Sequence, residues 1–196
     1  MNLNRLKNSR LKLDFYLHKK NSYFEKEAVK LGSTIYYAPK INRFLKFIGL
    51  GIKLKSFKRV VINNNYDVVH AHGTEFLGDT MKAAKLCGVK VRVAHCHTTG
   101  IGRFNKNIEM KLRGIRFKTL DRYRILQYST DILACSTESG YFFLSNNWET
   151  DARCQTLYCG VNTRQNIKLN NNILRHLYNI PKDSIVIGHV GSMGPN

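Results

Sequence analysis

Four histidines fall in two short runs, DVVHAHG at 67–73 and VRVAHCHTTG at 91–100. Each run reads as a buried β-strand ending in a turn. The two-residue strand period then puts His70 and His72 on one face, with Gly73 opening the turn, and repeats the arrangement with His95 and His97. In an open parallel sheet ligands bind outside the carboxyl ends of the strands, so both pairs stand where a substrate would stand. A neutral imidazole there can donate or accept a hydrogen bond or move a proton; it can equally be a packed, hydrogen-bonded structural residue. His97, furthest along its strand and followed by Thr98, Thr99 and Gly100, is the preferred catalytic candidate. His72, Gly73, His95 and Thr98 are the candidates to line a substrate.

Imidazoles beside Cys96 also invite a zinc reading. Cys96 points to the opposite face from its neighbours, however, and no familiar metal-ligand spacing joins the two pairs. The expectation is therefore no metal and no cofactor. The following loop, TTGIGRFNKN, carries Gly100 and Gly102 with Arg103 and Lys106, but Asn105 occupies the third glycine position of G-x-G-x-x-G and no Walker lysine follows. It reads as a glycine-containing loop at a cleft edge rather than a nucleotide cradle.

The elements that must position these residues alternate along the chain. Strands are expected at about 11–17, 33–38, 67–72, 89–95, 131–135, 153–158 and 184–190, and helices at about 22–31, 42–62, 75–87, 106–128, 136–146 and 170–178. Gly32 and Gly88 follow helical patterns as C-terminal caps do, and Ser136 with Glu138 opens the next helix. This is an α/β layout of the Rossmann-like, doubly wound kind, with a parallel sheet. Residues 1–160 form the expected main domain, 161–183 a linker and connecting helix, and 184–196 the first strand and glycine turn of a second domain.

Charge narrows the partners. The 196 residues carry 32 Lys and Arg against 13 Asp and Glu, a net charge of +19 that favours phosphates, nucleic acid or an anionic membrane face. Residues 1–60 hold fifteen basic against three acidic residues, and 103–124 hold eight against two. Within these stretches, the helices at 42–62 and 106–128 place Lys53, Lys55, Lys58, Arg59, Arg113 and Arg116 beside apolar residues such as Phe44, Phe47 and Phe117. They are candidates for membrane or lipid-acceptor contact, against the plain reading of a solvated face over a buried stripe. The five cysteines give an odd count without a C-x-x-C pair, which reads as free thiols in a reducing compartment. The polar, basic N-terminal run has no apolar h-region, and the apolar run Phe47–Ile52 is far short of the ~18 residues a span needs. A cytoplasmic protein is expected, peripheral on the inner face of the membrane.

The run YDVVHAHGTEFLGDTMKAAKLCGVKVRVAHCHTTG, then TDILACSTESGYFFL, the YCGVN turn and VIGHVGSMGPN, in that order and spacing, resemble GT-B glycosyltransferases of family 4, particularly bacterial capsule and exopolysaccharide enzymes. The resemblance implies two Rossmann-like domains facing across a cleft, with this chain carrying most of the acceptor-side half and the start of the donor-binding half. It also implies truncation at both ends, because MNLNRLKNSRLKLDFYLH resembles the end of the family's first helix and its second strand. By the same resemblance, His97 matches the histidine that contacts the donor sugar near its anomeric centre, His72 a strand-end histidine bordering the cleft, and Gly191, with Ser192 after it, the turn beside the donor diphosphate. The chain departs from the family at Cys159 and Asn162, where N-G-V-D is common, and at Ser192, where an arginine is common. The diphosphate-neutralising lysine and the paired glutamates of the family's donor domain are not found, so this chain alone is expected to be inactive.

The expected function is thus the acceptor-side portion of a retaining glycosyltransferase, moving a sugar from a nucleotide-sugar to a lipid-linked or polysaccharide acceptor in cell-surface polysaccharide synthesis. Two alternatives stay open: a basic nucleic-acid-binding protein, and an accessory subunit completed by a separate donor domain. No nucleic-acid partner is expected, because the strands lack interleaved aromatic and basic positions and no zinc finger or clear helix-turn-helix is found.

Overall fold

A computed structural model describes residues 11–41, 49–73, 76–97, 99, 108–160 and 172–187. Six strands alternate with helices: β1 (Phe15–Leu17), α1 (Glu25–Lys30), β2 (Ile35–Tyr37), α2 (Gly49–Asn64), β3 (Val68–His72), α3 (Leu77–Leu86), β4 (Val91–Cys96), α4 (Ile108–Arg116), a π turn (Phe117–Asp121), α5 (Arg122–Tyr128), β5 (Asp131–Ala134), α6 (Thr137–Leu144), α7 (Asn147–Thr150), β6 (Cys154–Thr156) and α8 (Asn172–Leu177). Every strand pair is parallel, so the expected α/β, Rossmann-like layout is the observed one.

The strands form two sheets, β1-β2 and β3-β4-β5-β6. Side chains tie the smaller sheet to the α2–β3 region. The Asp14 carboxylate accepts the Thr34 N–H at 2.7 Å and the Tyr66 O–H at 2.5 Å, and the Tyr16 ring meets Phe57 edge-on at 5.5 Å. The sequence produces the helix ends by known devices. Gly32 and Gly88 take φ of +87° and +82°, and the residue after each returns its N–H to the carbonyl of Ala28 or Ala84, closing a Schellman cap. Ser136 caps α6 by accepting the Ser139 N–H at 3.2 Å.

The larger core lies between β4, β5 and the helices α3, α5 and α6. Leu77, Met81, Ala94, Cys96, Phe117, Ile125, Ile132, Ala134, Phe143 and Leu144 fill it. A second cluster joins Phe57 and Val61 of α2 to Ala83, Ala84 and Val89. These residues dictate the site's position: β3 packs the half-buried Val69 and Ala71, and β4 the buried Ala94 and Cys96, against the core, so their histidines face the other side of the sheet.

Two expectations change in detail. The helix expected at 106–128 runs unbroken over the described residues 108–128, but a π segment at Phe117–Asp121 shifts its 3.6-residue repeat, and Phe117 and Ile125 are buried while Leu112 and Ile115 are exposed. Phe117, named above as an outward apolar candidate, therefore belongs to the core; Phe44 and Phe47 lie outside the described residues. The strand expected from 184 is not formed over 184–187, where Ile185 and Ile187 are exposed. Among the described residues no neighbouring strand offers them a ladder, and an isolated strand has no hydrogen-bond partner. Helix α7, between Ser145 and β6, was not anticipated; its single turn is too short to show a period.

The chain divides into two compact units, Met1–Cys159 and Gly160–Asn196. In the second, α8 is followed by a turn fixed by Arg175, whose guanidinium donates to the carbonyls of Pro181 and Ser184 at 2.6 and 2.9 Å.

Candidate functional site

The site is built by strand register. Pairing of β3 with β4 sets His72 directly beside His95 and His70 beside Val93, so one residue face carries all the histidines of both strands. His97 follows the last residue of β4. The rings pack together: His70 stacks on His72 at 4.3 Å between centroids and His72 on His97 at 5.0 Å, while His95 lies tilted against His97 at 4.0 Å. Two nitrogen contacts cross the strands, His70 Nε2 to His95 Nδ1 at 3.1 Å and His72 Nδ1 to His97 Nε2 at 2.7 Å. In each, one imidazole donates and the other accepts, so the tautomers are linked in pairs. Gly73 closes the end, its N–H donating to the His95 carbonyl at 3.1 Å; its φ of +148° is a conformation that side-chain-bearing residues avoid.

Burial differs through the cluster. His70, His72 and His97 are exposed, whereas His95 is 5% exposed and its Nε2 has no hydrogen-bond partner. Desolvation, and then the neighbouring imidazoles, push His72 and His95 down to about 4, and His70 is lowered for the same reasons. At pH 7 these rings are neutral. A neutral stack presents lone pairs and N–H donors to a polar ligand without the charge that would hold a free phosphate. His97 turns Nε2 inward to His72, which leaves Nδ1 as the ring nitrogen an incoming ligand meets.

The fold thus brings together His72, Gly73, His95 and His97, and adds His70, which sequence spacing had placed on the same face without assigning it a part. Parallel register, which no spacing within one strand reveals, makes it a contact of His95. Thr98, Gly191 and Ser192 lie outside the described residues, as does most of the TTGIGRFNKN loop.

The basic candidates separate. On α2, Leu54, Phe57 and Val61 face inward; Lys55 and Arg59 are exposed one turn apart, and Lys53 and Lys58 are half-buried on the flanks. Arg113 is on α4, and its side chain is outside the described set. Arg116, a candidate lipid contact, is half-buried and already paired. It pairs with the Asp121 carboxylate at 2.6 Å and with Asp79, and its guanidinium lies 4.6 Å from the centre of the Phe76 ring. Arg124 is the second partner of Asp79. Two buried carboxylates need internal cations, and Arg116 meets that need. The sequence signal for this network was an acid at Asp79 amid the inward residues Leu77, Met81 and Ala83.

Comparison with known proteins gives two findings. Residues 5–165 match the family described as Glycosyltransferase Family 4. A protein of Bacillus subtilis (strain 168), described as "Putative glycosyltransferase EpsF", is 30% identical over 159 residues, covering 77% of this chain and 38% of that protein. The chain therefore spans well under half the length of this curated relative.

Proposed function

The chain belongs to Glycosyltransferase Family 4, and from that premise we propose that it is the acceptor-side portion of a retaining glycosyltransferase, working with a nucleotide-sugar donor and a lipid-linked or polysaccharide acceptor of the cell surface. The observation that carries the reading is the cluster of imidazoles at the carboxyl ends of β3 and β4, with His97 outermost. Sugar hydroxyls are hydrogen-bond donors and acceptors, and an imidazole held by its neighbour matches them. His97, fixed through Nε2 by His72, orients the sugar; His95 and Gly73 hold the strand ends that aim it.

The test is sugar transfer by this chain joined to a donor-binding domain of the same family. His97→Ala lowers kcat by ~10² or more, because an oriented contact realised in the transition state is lost. Normal kcat in His97→Ala with transfer intact would overturn the assignment.

The lipid-linked acceptor also calls for the membrane surface. No described helix is long and apolar enough to cross a bilayer. Peripheral attachment is supported by α4, where Ile108, Leu112 and Ile115 are exposed at helical spacing with Lys111 and Lys118 beside them, and by Lys55 and Arg59 of α2. At about 1 kcal/mol per basic residue near an anionic surface, these four cations supply a reversible hold. Co-sedimentation with anionic vesicles should weaken between low and physiological salt and fall in Lys55→Gln/Arg59→Gln. Equal binding to neutral vesicles would show that the charges are a solvated face.

A further inference from the structure

We propose that His70, His72 and His95 form a three-imidazole site for a borderline divalent transition-metal ion of the Zn²⁺ or Co²⁺ type. One ligand atom from each of the three lies within 4.8 Å of the other two. In a tetrahedral site with metal–nitrogen bonds of about 2.05 Å, neighbouring ligand nitrogens are about 3.3 Å apart. The His70 Nε2 to His95 Nδ1 distance of 3.1 Å is already close to that edge, and an ion that displaces the shared proton sits off the N···N line, with both rings tilting to point their lone pairs at it. The third ligand requires rotation of the exposed His72, which is held by the 2.7 Å contact of its Nδ1 with His97 Nε2 and must exchange or share that contact on binding.

Coordination through Nδ1 would fix the tautomer of His95, a ring only 5% exposed, with its proton on Nε2. Backbone register holds the frame: His72 pairs with His95, and the Gly73 N–H is bonded to the His95 carbonyl, so both ligand strands are fixed before an ion arrives.

The donor set selects the ion. With three nitrogens and no carboxylate in the cluster, the site suits imidazole-preferring metals and not Mg²⁺ or Ca²⁺, which demand oxygen. Cys96 is buried on the opposite face of β4 and is not a ligand. The net charge of +19 opposes a cation, but beyond the ~8 Å screening length at physiological salt that repulsion is largely removed. The inference does not depend on the sugar-transfer reading, since it asks only what these side chains coordinate.

The experiment titrates the metal-stripped 196-residue chain with Co²⁺, followed by visible absorption and calorimetry, with Zn²⁺ as competitor. One Co²⁺ per chain is expected, with the intense d–d bands of a tetrahedral nitrogen site, no thiolate charge-transfer band, displacement by Zn²⁺ and none by excess Mg²⁺. His70→Gln and His72→Gln, both at exposed positions, each weaken binding by ~10²-fold or more, the expected loss for removing one of three ligands. His176→Gln, at a histidine of α8 outside the cluster, leaves it unchanged. Absence of saturable Co²⁺ binding, a thiolate band, or full affinity in His70→Gln would overturn the site. Measuring metal content and affinity, not sugar transfer, keeps failure here distinct from failure of the proposed function.

Discussion

Replacing Arg116 by Gln is the sharpest test of the side-chain network under the site, because it turns a lipid-contact reading and a structural reading into opposite outcomes. Asp121 is 1% exposed, and one carboxylate oxygen accepts from the Phe76 N–H at 3.3 Å and from Arg116 at 2.6 Å. Burial raises its carboxyl to about 6, against the opposing pull of Arg116. For an acid whose folded value lies above its unfolded 3.8, the stability it contributes is fully present below 3.8 and is lost as pH rises through about 6. Above pH 6 the group is ionised, and Arg116 is its direct counter-charge.

Breaking a buried pair by removing one partner costs about 3–5 kcal/mol. Asp79 keeps Arg124 and Asp121 can take up a proton, so about 3 kcal/mol at pH 8 is the working figure. At pH 5 Asp121 is already mostly protonated, the ion pair is largely absent, and the cost falls below about 1 kcal/mol. Urea unfolding at both pH values reads this directly: with a slope near 2 kcal/mol per molar, the midpoint drops by about 1.5 M at pH 8 and by less than about 0.5 M at pH 5. Asp121→Asn abolishes most of the pH difference. Anionic-vesicle binding of folded Arg116→Gln stays at the parent level. A midpoint shift equal at pH 5 and 8, or unchanged stability with lost vesicle binding, would refute the reasoning and return Arg116 to the outward face.

Three further outcomes are expected. For the metal-free protein, His95 has a folded value of about 4 against an ordinary 6.5, so its contribution is fully present above pH 6.5 and is lost as pH falls toward 4; it amounts to about 2 kcal/mol by pH 5, and the acid limb of a urea titration in EDTA should flatten by that amount in His95→Gln. Gly140→Ala drives a methyl group into the Trp148 indole and should destabilise the chain by about 3 kcal/mol, read as a lower midpoint at unchanged slope. Asp14→Asn should speed amide exchange in β2 more than in β4: burial opposes the Asp14 carboxylate, but the bonds from Tyr66 and Thr34 and the charge of Lys12 outweigh it and hold its carboxyl below the usual range, so this link is fully present above 3.8 and weakens as pH falls below it.

How much of this was written in the sequence depends on whether a feature is local or comes from pairing. The strands at 67–72, 89–95 and 131–135 were legible because their apolar runs are bounded by Gly88, Gly73 and Ser136, residues whose turn and cap preferences are intrinsic. The face carrying His70 and His72 was legible too, because alternation follows from the pleat. Register was not: a parallel ladder is set by the helix between the strands and by the core beneath it. Only pairing puts His72 beside His95 and His70 within hydrogen-bond reach of it, converting two separate H-x-H runs into one cluster. The same distinction explains Arg116. Its surroundings in sequence are basic and amphipathic, which suggests an outward cation, while the acids that claim it, Asp79 and Asp121, lie 37 and 5 residues away and are brought to it by the packing of α3 on the π turn. Charge read along the chain measures what a surface could bind; charge read in the fold must first subtract what the interior has already taken.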